Sequence, residues 1–164
     1  MAFTYVYKRR VGPWGLVARV TLDVRPVDEM PREARGIDGS CHRWIPSHGL
    51  APADARWMAF GLGLVARQLD ALLGGAGRVV VQVVDWDVPM LADYQEEVAA
   101  AAVIECLRQN YGIRGVAIGL SFDRERNRYG FTWDGAPARV NPSVLSGFGE
   151  TAPVDRRYGD EVID

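Results

Sequence analysis

The chain has 164 residues, 48% apolar and 24% charged, the composition of one ordinary globular domain that folds without disulfides or metal. Nineteen basic residues against 21 acidic ones leave a formal charge of −2, without the basic excess of a dedicated nucleic-acid binder. Two cysteines are too few for a disulfide scaffold, the apolar run Trp57–Ala66 is too short to span a bilayer, and Lys8-Arg9-Arg10 follows rather than precedes its apolar stretch, so a cytoplasmic protein is expected.

Phe3–Tyr7 is aromatic and β-branched and reads as a strand. Gly12, Pro13 and Gly15 mark a turn, and Leu16–Arg25 alternates with Leu16, Ala18, Val20, Leu22 and Val24 on one face, completing a β-hairpin. Pro26–Pro52 carries four prolines and reads as an irregular connection with at most one short strand. Ala53–Leu73 has helical spacing. Gly61 and Gly63 inside it each cost ~1 kcal/mol relative to alanine, which implies close approach to a neighbouring sheet. Gly74-Gly75 supplies a left-handed stop. Val79–Val84 is an apolar run that fits a strand covered on both faces. Asp93–Tyr111 reads as a second helix, capped by Asp93, apolar nearly all round and ended by Gly112. Val116–Phe122 and Tyr129–Trp133 form a closing hairpin around Arg124–Arg128. Residues 134–164 lack periodicity and are expected to form an extended or partly disordered tail, with Phe148 its best docking residue.

This order predicts a single α+β domain over residues 1–133, a two-layer sandwich of about four strands with two helices on one face. Three stretches add a resemblance. Phe3–Pro26 is a hairpin with a basic, glycine-containing turn; Ile37–Trp57 approaches its helix through Gly39 and Ile45-Pro46; Val80–Val98 runs Val83-Val84-Asp85-Trp86-Asp87-Val88-Pro89, then Asp93-Tyr94-Gln95-Glu96. In this order they resemble domain IV of bacterial elongation factor G and the wider group built on ribosomal protein S5 domain 2. The resemblance implies that fold, and a tip loop at Asp85-Trp86-Asp87 that contacts the ribosome. The chain departs from the family in lacking a tip-loop histidine and in placing two aspartates there, which repel an RNA backbone. It has no Gly-x-x-x-x-Gly-Lys-Ser/Thr nucleotide-binding loop, so GTP-driven translocation is not expected.

Four groups of residues carry candidate chemistry. Cys41, His42 and His48, with Asp38, hold zinc-ligating types, but their spacing fits no standard finger, so neither stoichiometric metal nor a cofactor is expected. Asp85, Asp87 and Asp93 suit a hard cation or an acid–base pair, or else caps and solvated carboxylates. Trp86 either returns to the core or projects as an anchor for a partner. Lys8, Arg9 and Arg10 with Trp14 form a basic-aromatic patch suited to RNA or an acidic partner, or else a solvated hairpin tip. The best reading is a non-enzymatic binding module that contacts its partner through Asp85, Trp86, Asp87, Arg9, Arg10 and Trp14. The resemblance implies a ribosomal or RNA partner; the acidic loop fits a basic protein, as for an inhibitor or immunity-type protein. The alternative is a small enzyme with a site among His42, His48, Asp85 and Asp87, though no coherent nucleophile, acid and base can be assigned.

Overall fold

The computed structural model describes residues 1–13, 15–74 and 77–138. Among the described residues the fold is α+β, with a five-stranded mixed sheet, three helices and a separate two-stranded hairpin. The first hairpin forms as its alternation demands: β1 (Ala2–Arg9) pairs antiparallel with β2 (Leu16–Pro26). The Pro26–Pro52 connection contributes two short strands rather than one, β3 (Arg35–Gly36) and β4 (Arg43–Ile45). The valine-rich strand β5 (Val79–Asp87) lies antiparallel to β2 and parallel to β4, giving the order β1-β2-β5-β4-β3.

Leu16, Ala18, Val20 and Leu22 of β2 are sealed in the main core, with Val79, Val81 and Val83 of β5. Val80 points the other way, into a smaller cluster with Ala34 and Ile45, so the start of β5 is covered on both faces. Its far end is not. Val84 is an extra residue opposite the Thr21–Leu22 step of β2: Val83 pairs with Leu22, and Asp85 with Thr21. A bulge of this kind resets the two-residue alternation.

The helical stretch 53–73 is two helices, α1 (Pro52–Leu64) and α2 (Ala66–Leu73). Between them Val65 leaves helical geometry at φ −103° and ψ 4° while wholly buried, and its N–H turns back to the Leu62 carbonyl. The partner of Gly61 is a helix rather than the sheet. A Cβ there would lie 2.9 Å from the Ala100 carbonyl oxygen and 3.0 Å from its Cα, whereas Gly63 faces Asp38. Ala100 belongs to α3 (Glu97–Tyr111), whose run Val98–Ile104 is buried throughout. Its alanines let it lie close to β1 and β2 on one side and to α1 on the other. Gly112 ends α3 in the left-handed region, φ 67°. Gly74, by contrast, stays right-handed, and Gly75 lies outside the described residues.

The last hairpin, β6 (Ile118–Asp123) and β7 (Arg128–Trp133), forms at its expected place but does not join the main sheet. Trp133 packs instead on α1, with ring centroids 6.5 Å from Trp57 and 5.5 Å from Phe60. Stacked and edge-to-face ring pairs of this kind add ~0.5–1.5 kcal/mol each beyond their area burial. The expected four-stranded sheet is therefore corrected to five strands plus this hairpin. Of the expected tail, Phe148 and all residues from 139 onward lie outside the described residues. Among the described residues no helix is long and apolar enough to cross a membrane.

Candidate functional site

Three segments meet at one end of the molecule: the β1–β2 turn, the loop from Val88 to Glu96, and the β6–β7 hairpin. The Asp93 N–H donates to the Gly15 carbonyl at 3.0 Å, and its carboxylate accepts from the Tyr129 hydroxyl at 2.5 Å. Gln95 brackets the Tyr129 backbone, donating to its carbonyl at 2.7 Å and accepting from its N–H at 2.9 Å. Burial, and then the bond to Asp93, raise the Tyr129 pKa above the ordinary phenol value. Gly12 lies so close to Tyr129 and Phe122 that a side chain there would collide with both rings. Asp93 is thus engaged by the turn and the hairpin, which is why it does not cap α3 and the helix begins at Glu97.

Between the end of β5 (Val79–Asp87) and the anchor at Asp93 the loop carries Met90 and Leu91, 101% and 93% exposed. Val11 of the turn is also exposed. Arg10 stands on the same turn, Lys8 is next to the last residue of β1, and Arg124 shares a cavity wall with Val11, Gly12 and Pro13. Arg9 is less free, since its guanidinium lies over the Tyr7 ring at 5.1 Å and 3.9 Å from Glu105. Trp14 lies outside the described residues.

Asp85, Trp86 and Asp87 are not a loop. They are the last residues of β5, opposite Thr21, Val20 and Arg19. The bulge at Val84 turns Trp86 onto the core face and both aspartates onto the outer face. There Arg19 sits 3.6 Å from Asp85 and 3.4 Å from Asp87. Trp86 is half-buried, and its indole N–H donates to Asp54 at 3.1 Å. The Tyr94 hydroxyl donates to the other oxygen of the same carboxylate at 2.6 Å. Asp54 is one of two buried polar residues among those described, and these two donors satisfy it. Burial, and then the bond to Asp54, push the Tyr94 pKa well above that of an ordinary phenol. Trp86 therefore braces α1 against the end of β5 and does not project.

A third grouping lies at the opposite end of β5. Cys41 is exposed and His42 buried, and Asp70 of α2 reaches both. The Ser40 hydroxyl donates to Asp70 Oδ1 at 2.5 Å and the Cys41 thiol to the same oxygen at 3.4 Å. The Ser40 bond chiefly holds the Asp70 pKa below the ordinary carboxylate value, against an opposing effect of burial. Desolvation, and then the bond to Asp70, raise the Cys41 pKa, so this thiol is no activated nucleophile.

The residues weighed as an enzyme site are not brought together. His42 precedes Arg43, which pairs with Val80, whereas Asp85 and Asp87 end the same strand. At ~3.3 Å per residue these positions are roughly 20 Å apart. His48 is exposed and belongs to neither group. Asp93, bonded to Tyr129, does not converge with Asp85 and Asp87 into a cation site. Sequence reasoning missed Asp54, Asp70, Met90 and Leu91. Only the apolar pair after Pro89 left a local signal, because the two aspartates act through partners distant in sequence. No family model matches the chain, and the comparison with curated proteins finds no match.

Proposed function

We propose that the chain is a non-enzymatic binding module that engages a protein partner through the end where the β1–β2 turn and the Val88–Glu96 loop meet. The observation that carries this reading is the full exposure of Met90 and Leu91 on a loop tied down at Asp93 and Gln95. Exposed apolar side chains on a backbone held in place lose little freedom on docking, and methionine is enriched at protein interfaces. Lys8, near the end of β1, and Arg10, just after it, have no ion-pair partner among the described residues. The complement is an apolar pocket with an acidic rim. The basic partner expected from Asp85 and Asp87 fits less well, because Arg19 lies beside both carboxylates and offsets half of their charge.

A ribosomal or other RNA partner is the second reading. The cations Lys8, Arg10 and Arg124 favour it, as does the resemblance to elongation factor G domain IV and the ribosomal protein S5 domain 2 group. That resemblance rests on the hairpin, helix, strand, helix order. The enzyme alternative has less support, since His42 and the aspartates of β5 stand far apart.

The test is affinity capture from cell extract with three chains: unaltered, Met90→Ser with Leu91→Ser, and Lys8→Ala with Arg10→Ala. Capture of a protein that survives nuclease and is lost with the Met90/Leu91 pair is the expected result. An RNA partner shows instead as capture abolished by nuclease and weakened steeply by salt. Equal capture by all three chains would overturn both readings.

A further inference from the structure

We propose that Cys41, His42 and Asp70 form a binding site for one zinc-like divalent cation, with a fourth coordination position open to solvent. The expectation of no metal rested on Cys41, His42, His48 and Asp38, which are neighbours in sequence. The fold replaces the last two with Asp70, which α2 delivers from a distant part of the chain.

The first observation is the geometry. Asp70 Oδ1 is the common point, 3.4 Å from Cys41 Sγ and 3.6 Å from His42 Nε2. One ligand atom from each residue lies within 4.8 Å of the other two. Bonds of ~2.3 Å to sulfur and ~2.0–2.2 Å to nitrogen and oxygen give a tetrahedron with edges of roughly 3.3–3.6 Å. Both of these separations match such edges, and the third, from sulfur to the imidazole and within 4.8 Å, would shorten toward that range on binding.

The second observation is independent. His42 is 1% exposed, yet its Nε2 has no hydrogen-bond partner. It faces the Asp70 carboxylate from a distance too long for a hydrogen bond. Buried polar atoms are almost always paired. A cation between Nε2 and Oδ1 gives Nε2 the partner it lacks. Its presence fixes the imidazole with its remaining proton on Nδ1, which lies 3.8 Å from Cys41 Sγ. Ser40 holds the arrangement from outside, donating to Asp70 Oδ1 and accepting from the His42 N–H at 3.0 Å. Metal ligands are commonly oriented by such hydrogen bonds.

The chemistry selects the ion. Thiolate, neutral imidazole and carboxylate suit zinc and cobalt and suit magnesium or calcium poorly. Binding takes the proton from the Cys41 thiol and releases it to solvent. Sulfur and Asp70 Oδ1, which shared that proton, each bond to the metal instead. One thiolate and one carboxylate then balance a divalent charge, so the half-buried site is electrically neutral. Cys41 is exposed, so the remaining position faces water.

The experiment uses the full chain stripped with a chelator, titrated with zinc against a chromophoric competitor and separately with cobalt. One equivalent of zinc is expected. Cobalt is expected to give the visible bands of a tetrahedral ion and a thiolate-to-metal charge-transfer band. His42 is buried, so the variants are placed at its two more accessible partners. Cys41→Ser should abolish the charge-transfer band, and Cys41→Ser or Asp70→Asn should weaken zinc binding by more than ~10-fold. His48→Ala should leave both readouts unchanged. Sub-stoichiometric zinc uptake by the unaltered chain would overturn the proposal, as would equal affinity in Cys41→Ser and Asp70→Asn.

Discussion

Strand β5 is held in two ways along its length. From Val79 to Val83 it is an interior strand, with Val79, Val81 and Val83 in the main core and Val80 in the smaller cluster behind it. From Val84 to Asp87 it is half-wet and held by polar pairs: Trp86 to Asp54 within, Asp85 and Asp87 to Arg19 outside. One inserted residue, Val84, separates the regimes. The contrast shows that a single bulge can turn an apparent loop of two acids and an aromatic into a strand end with one inward anchor.

The sharpest way to break this contrast is to place the same charge on each side of the bulge. Val81→Asp buries an unpaired carboxylate in the core and is expected to cost more than ~4 kcal/mol, with loss of a cooperative melt. Val84→Asp, at a position 48% exposed, is expected to stay within ~1 kcal/mol of the parent. Similar melts for the two variants would mean that the bulge does not divide the strand.

An intermediate effect is expected from Trp86→Phe, which keeps the ring and removes the indole donor. Asp54 then relies on Tyr94 alone, a loss of ~1–3 kcal/mol. In a chain of this size that is a fall in melting temperature of roughly 2–12 °C, checked by calorimetry. An unchanged melt would show that the bond from Trp86 to Asp54 contributes nothing to stability.

The smallest effect is expected from Asp87→Asn. Its carboxylate and Arg19 are each 49% exposed, so solvent screens the pair and the cost should stay under ~1 kcal/mol. Added salt should shrink the difference between parent and variant further. A loss above ~2 kcal/mol would make the outer face of β5 as important as its core face.

The periodicity of individual segments was legible. The first hairpin, the buried start of β5, the all-round apolar α3, the Gly112 stop and the closing hairpin each follow from spacing and residue type. The errors arise where a segment's geometry depends on a distant partner. Asp93 has the chemistry of a cap, yet Gly15 and Tyr129 engage it. Gly61 signals close approach, but whether sheet or helix approaches depends on the alanines of α3. Cys41 and His42 stand out as ligand types, and the residue that completes their cluster comes from α2.

The sequence by itself determined the α+β class, the strand and helix material and the core face of β2, because those depend on local periodicity and on apolar burial. Only the tertiary structure decided that Trp86 turns inward, that Asp54 and Asp70 become polar hubs, and that Met90 and Leu91 stand on a braced loop. Hydrogen bonds across folded segments obey no sequence period, and one bulged residue shifts the phase of every side chain after it.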